Sequence, residues 1–166
     1  MRSRVLRAIS SPFAIGAVIG AVGIVLASLH LMAEYEDALF DQIVGSIIQP
    51  QWSETQKVNA LAAETHELLK DRAKVFVDSG YVGFRDSWLN SADVHLLEGR
   101  GVCRSHASVL GRLLGRAGIH FRIVRIYFPE AGTWACHLGI EANAEGKWRA
   151  VEPFDNIVFP VERSFN

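Results

Sequence analysis

The chain has 166 residues, with 17 Lys and Arg against 18 Asp and Glu and a formal net charge of -1. That balance supplies no positive field for a nucleic acid or an acidic polymer, so neither is expected as a partner. Once an apolar N-terminal stretch is set aside, the remaining length supports one compact domain, and so at most one active site.

Arg2, Arg4 and Arg7 precede an uncharged run from Phe13 to Met32, which has the roughly 20 residues that a helix needs to cross a ~30 Å hydrocarbon core. Glu34, Glu36, Asp37 and Asp41 follow it. Cations before and acids after keep the N-terminus cytoplasmic and place the rest in the periplasm or outside the cell. Residues 1–32 are therefore expected as a membrane anchor, with 13–32 in the lipid bilayer. The competing reading is secretion after signal cleavage, because Val25-Leu26-Ala27 resembles the end of a signal peptide. Gly16 and Gly20 form a GxxxG spacing through which two such helices could associate.

Tyr35, Leu39, Phe40, Ile43, Val44 and Ile47 recur at three- and four-residue spacing, which predicts an amphipathic connecting helix over 33–50 that Pro50 ends. Residues 51–166 are then the domain. Ser53 and Gln56 have the form of a capping box opening a helix over about 53–76. The stretch 78–100 has no sustained period and reads as loop. From Cys103 to Ala117, one stripe (Cys103, Ala107, Leu110, Leu114, Ala117) opposes another (Arg104, Ser108, Arg112, Arg116), which predicts a helix with one buried face, stopped by Gly118. Residues 120–127, 133–142 and 147–152 read as antiparallel strands. The fold class expected is α+β.

A cysteine at a helix start meets unpaired backbone N–H groups that favour an anion, as a thiol nucleophile requires. Cys103 is that candidate. A turn centred between Ala144 and Glu145 would set His137 directly opposite Glu152, within reach of an imidazole–carboxylate bond. His137 is then the base and Glu152 the acid, with Asp155 the alternative acid if the turn has odd length. Cys136 should point to the opposite face from His137 and be structural. His106, one turn after Cys103, either lines the cleft or is a partly exposed polar residue. Cys103, His106 and His137 carry metal-ligand atoms without paired-ligand spacing, so no metal and no cofactor is expected. His30, His66, His95 and His120 receive no role.

Gly101-Val102-Cys103-Arg104-Ser105-His106-Ala107, then His137, then Trp148-Arg149-Ala150-Val151-Glu152-Pro153 resemble the three motifs of the transglutaminase-like superfamily. The resemblance covers roughly 94–154. It implies a papain-like arrangement, with the cysteine helix packed on an antiparallel sheet that carries base and acid. Glutamate stands at position 152 where that family usually has aspartate, and the domain is short. Asp86-Ser87-Trp88 also resembles an Asp-x-Trp element of bacterial transglutaminase-like cysteine proteinases, which implies Trp88 as an oxyanion donor. Their Gly-Asp-Cys sequence is Gly-Val-Cys here, so their substrate does not carry over.

The expected chemistry is acyl transfer on a protein or peptide amide through a thioester. Water as acceptor gives a protease or amidase, the preferred reading, and an amine as acceptor gives a cross-linking transglutaminase. The rival class is a catalytically inactive binding module with the same fold.

Overall fold

The computed structural model describes residues 12–70, 92, 96, 103–130 and 133–159, the side chains of 128–130 and 133–136 excepted. The chain divides into two compact units, Met1–Ala38 and Leu39–Asn166. Helix α1, Pro12–Ile47, passes through the boundary. In the first unit Ile15, Val18, Ile19, Val22, Leu26 and Leu29 are all exposed, and the helix is long and apolar enough to span a membrane or to serve as a signal sequence. His30 Nε2 lies 3.1 Å from Glu34 Oε1, one helical turn on.

The second unit is α+β. Its core takes in the last turns of α1, where Phe40 is fully buried and Leu39, Ile43, Val44 and Ile47 pack against it. The segment expected as a separate connector over 33–50 is thus divided, and from Leu39 onward it belongs to the folded unit. Helix α2, Glu54–Leu69, opens with the capping box: Ser53 Oγ accepts from Gln56 N–H at 3.2 Å, and Gln56 Oε1 accepts from Ser53 N–H at 2.9 Å. Residues 71–76, expected as its continuation, lie outside the described residues, as does most of the stretch 78–100 expected as loop; within that stretch Ala92 and Leu96 are helical instead, and Leu96 is buried in the core.

Helix α3, Cys103–Arg116, buries the expected Ala107, Leu110 and Leu114 and leaves Arg104 and Arg116 exposed, but its buried face is wider than expected. Ser105, His106, Val109 and Leu113 are buried along with Ala107, Leu110 and Leu114. The cause is its central position, in contact with α2 and with strands β1 and β2. Each leucine so enclosed stabilises by about 1.5–3 kcal/mol. Gly118, at φ 74°, ends the helix in a Schellman turn, with Ile119 N–H on Leu114 O and Gly118 N–H on Gly115 O. Arg116 makes a two-pronged pair with Asp41, which holds the Asp41 carboxyl below its ordinary range. The contribution of that pair is present above the ordinary carboxylate range and is lost as pH falls through the depressed value.

Strands β1 (Phe121–Glu130), β2 (Thr133–Ala144), β3 (Lys147–Glu152) and β4 (Ile157–Val158) form one antiparallel sheet in sequence order. Ile140, Ala142, Ala144 and Val151 line the core face. On the other face Arg122 pairs with the buried carboxylate of Glu141 directly across the strands, and its guanidinium lies 4.7 Å from the Trp148 ring centre.

The β2–β3 register differs from the expected one. The turn is Glu145-Gly146, both at positive φ (56° and 75°), a two-residue type I′ turn centred one residue later than expected. Ala144 pairs with Lys147 and Ile140 with Val151. Continued, that ladder sets Glu152 beside Gly139, two residues from His137. A slip of two keeps each side chain on its face, so His137 and Glu152 still share one side of the sheet.

Phe121 fixes how close α3 approaches. A Cβ placed on Gly111 would stand 2.7 Å from the Phe121 ring, whereas one on Gly115 would be 3.5 Å away. Both substitutions gain the same helix propensity, so Gly111→Ala should be less stable than Gly115→Ala by about 1–3 kcal/mol, the usual cost of overpacking. Denaturant unfolding of the two variants measures that difference directly.

Candidate functional site

Cys103 is the first residue of α3, half-buried, with a free thiol. The helix thus begins at the cysteine, as its spacing predicts. The side chain of Cys136 lies outside the described residues, as do Gly101, Val102 and the Asp86-Ser87-Trp88 element.

His137 Nε2 and Glu152 Oε1 are 2.7 Å apart. They meet as diagonal neighbours across β2 and β3, not as the directly opposed pair expected from the turn. Diagonal positions are roughly 7–8 Å apart at Cα, within reach of long side chains. Glutamate's extra methylene supplies that reach. An ionised carboxylate only accepts, so Nε2 is the donor in this contact.

Glu152 is 8% exposed, and a carboxylate so enclosed has to be met by donors. Besides the imidazole it accepts the backbone N–H of Asp155 on Oε2 at 2.7 Å and that of Phe154 on Oε1 at 3.3 Å. Both donors lie in the turn after buried Pro153, where the chain reverses so that Ile157 pairs back with Glu152. Asn156 completes the reversal at φ 54°, a left-handed conformation that asparagine tolerates. Asp155, the alternative acid, has an exposed side chain, and it is its backbone N–H that serves the Glu152 carboxylate.

The direction of α3 follows from two contacts. Gly111 and Gly115, toward its C-terminus, abut Phe121, which pairs with Ala142 far along β2. His106, in its first turn, packs edge-on against Phe154, ring centres 5.1 Å apart at 68°. Phe154 stands two residues after Glu152. The helix therefore runs along the sheet with its Cys103 end toward the end where Phe154 follows Glu152, while alternation from core-facing Leu138 and Ile140 sets His137 and Glu152 on the face that carries Glu141. Among the described residues no hydrogen bond joins the thiol to the imidazole.

His106 requires a correction: at 1% exposed it is neither an open cleft residue nor a partly exposed surface one. It is enclosed because α2 lies over the first turn of α3, with the His66 ring centre 6.5 Å from that of His106. His66, given no role from sequence, also bonds Phe154 O through Nδ1 at 2.8 Å. A contact between residues this far apart in the chain leaves no local signal. Among the described residues no group of three or more His, Cys, Asp or Glu side chains is arranged to hold a metal ion.

No protein-family model, curated protein or solved structure matches this chain.

Glu152→Ala removes an acceptor shared by three donors and should destabilise the domain by about 2–4 kcal/mol, whereas Asp155→Asn should change stability by less than about 0.5 kcal/mol. Chemical denaturation of both variants compares the two costs.

Proposed function

We propose that this chain is a membrane-anchored cysteine enzyme of the transglutaminase-like kind, acting on a protein or peptide amide. The observation that carries the reading is the His137–Glu152 bond, formed at the end of the sheet toward which the Cys103 helix points. The Cys103 sulfur attacks the amide carbonyl, and His137, with Nε2 held by Glu152, uses Nδ1 to take the thiol proton and return it to the leaving amine. The Cys103 backbone N–H, at a helix start, is a donor for the oxyanion, with Trp88 the second donor that the resemblance implies. The thioester is then released by water, which makes the enzyme a protease or amidase. Release by an amine would make it a cross-linking transglutaminase.

Three features support the assignment to that class: the order Cys103, His137, Glu152, the Trp148-to-Pro153 motif, and the packing of α3 on an antiparallel sheet. A papain-like domain is part of this proposal. Anchoring rests on the apolar part of α1 with arginines before it and acids after it, which puts the domain in the periplasm or outside the cell. Secretion after signal cleavage is the alternative for the same segment.

One observation favours a second reading. Glu152 accepts two backbone N–H groups of its own turn, so its burial is accounted for without catalysis, as in a binding module that keeps the fold. Thiol chemistry separates the two. In an enzyme, Cys103 should alkylate much faster than Cys136 near neutral pH, read by mass spectrometry of each peptide. Equal rates would favour the binding module. With a small activated ester as acyl donor, Glu152→Gln should slow acylation of Cys103 by on the order of 10²-fold or more, while Asp155→Asn should be mild. A reporter fused after Asn166 should be active only outside the cytoplasm, and activity inside would overturn the topology.

A further inference from the structure

The turn that presents Glu152 is gripped from α2 as well as from the sheet. His66 Nδ1 stands 2.8 Å from the carbonyl oxygen of Phe154. A carbonyl oxygen only accepts, so Nδ1 carries a proton and donates it. That carbonyl and the Asp155 N–H are the two ends of one peptide group, which is planar and trans, so they point in opposite directions. The Asp155 N–H donates to Glu152 Oε2 at 2.7 Å, and Glu152 Oε1 meets His137 Nε2 at 2.7 Å. Holding the carbonyl therefore aims the N–H, and the N–H aims the carboxylate. The result is one run of hydrogen bonds, His66 to the Phe154–Asp155 peptide to Glu152 to His137, in which each bond polarises the next. His106, edge-on against Phe154 and 6.5 Å from the His66 ring, closes the other side of the turn.

We infer that His66 is a positioning residue: by donating to the Phe154 carbonyl it fixes the peptide that orients the Glu152 carboxylate on His137. The inference rests on the proposed reading of His137 and Glu152 as base and acid. It assigns His66 a donor role at Nδ1 that packing alone would not need.

The test uses the full chain in detergent micelles with ¹⁵N-labelled histidine, and reads solvent exchange of the His137 Nε2 proton. His66→Phe keeps a ring against His106 and removes the donor. His66→Asn puts an amide nitrogen where Nδ1 stood, and His66→Gln puts one where Nε2 stood. In the parent chain the proton should be protected. In His66→Phe it should exchange at least about tenfold faster, the loss expected when a hydrogen bond serving a charged group is removed. His66→Asn should restore the parent rate and His66→Gln should not. Backbone amides of Ile140 and Val151 report whether the sheet is intact. Should His66→Phe lose that protection, the Asn and Gln pair makes the same decision.

An unprotected proton in the parent overturns the inference, as does a parent-like rate in His66→Phe. Equal rates in His66→Asn and His66→Gln would assign His66 to packing instead. A Cys103 thiol that alkylates no faster than Cys136 in the parent would sink the enzyme reading while leaving the exchange result to decide on His66.

Discussion

A nearly buried carboxylate is the constraint around which this domain's candidate site is arranged. Glu152 gives up almost all of its contact with water, and a charge in that position is tolerated only when donors surround it. The donors come from the imidazole of His137 and from two consecutive N–H groups of the turn that follows β3. Satisfying one carboxylate thus fixes the shape of the turn and the orientation of the histidine together. The turn in turn places Phe154 where both helices reach it, α3 through His106 and α2 through His66. Local chain reversal, helix packing and the candidate base are in this way parts of a single hydrogen-bonded arrangement.

Much of this was legible in the sequence where the physics is local. Ser53 and Gln56 mark the start of α2 through a reciprocal cap, and Gly118 marks the end of α3 through a left-handed turn. Cys103 stands at a helix start because the apolar spacing begins there. The relation of His137 to Glu152 is more instructive. The sequence centres the turn one residue early, which shifts the ladder by two, and a shift of two leaves every side chain on its own face. The pair therefore survives as a diagonal contact.

What was not legible depends on contacts between distant segments. The Cys103–Arg116 stretch reads as amphipathic and is so, but the width of its buried face, which takes in Val109, Leu113 and His106, comes from its contacts with both α2 and the sheet. The apolar row of α1 is continuous in sequence, yet its last turns belong to the folded unit, since Phe40 sits in that core. The two-residue strand β4 is too short to carry a period of its own and exists because the Glu152 turn brings it back beside β3. His66 gains its partner only through the packing of α2 over the first turn of α3.

Under the proposed function Cys103 and His137 act as one chemical unit. The alkylation rate of Cys103 near neutral pH, compared between the parent chain and His137→Gln at fixed reagent concentration, decides whether they do. If the imidazole takes up the thiol proton, the substitution should slow alkylation by about tenfold or more. Equal rates in the two chains would mean that the thiol reacts without help from the His137 imidazole, which the proposed function does not allow.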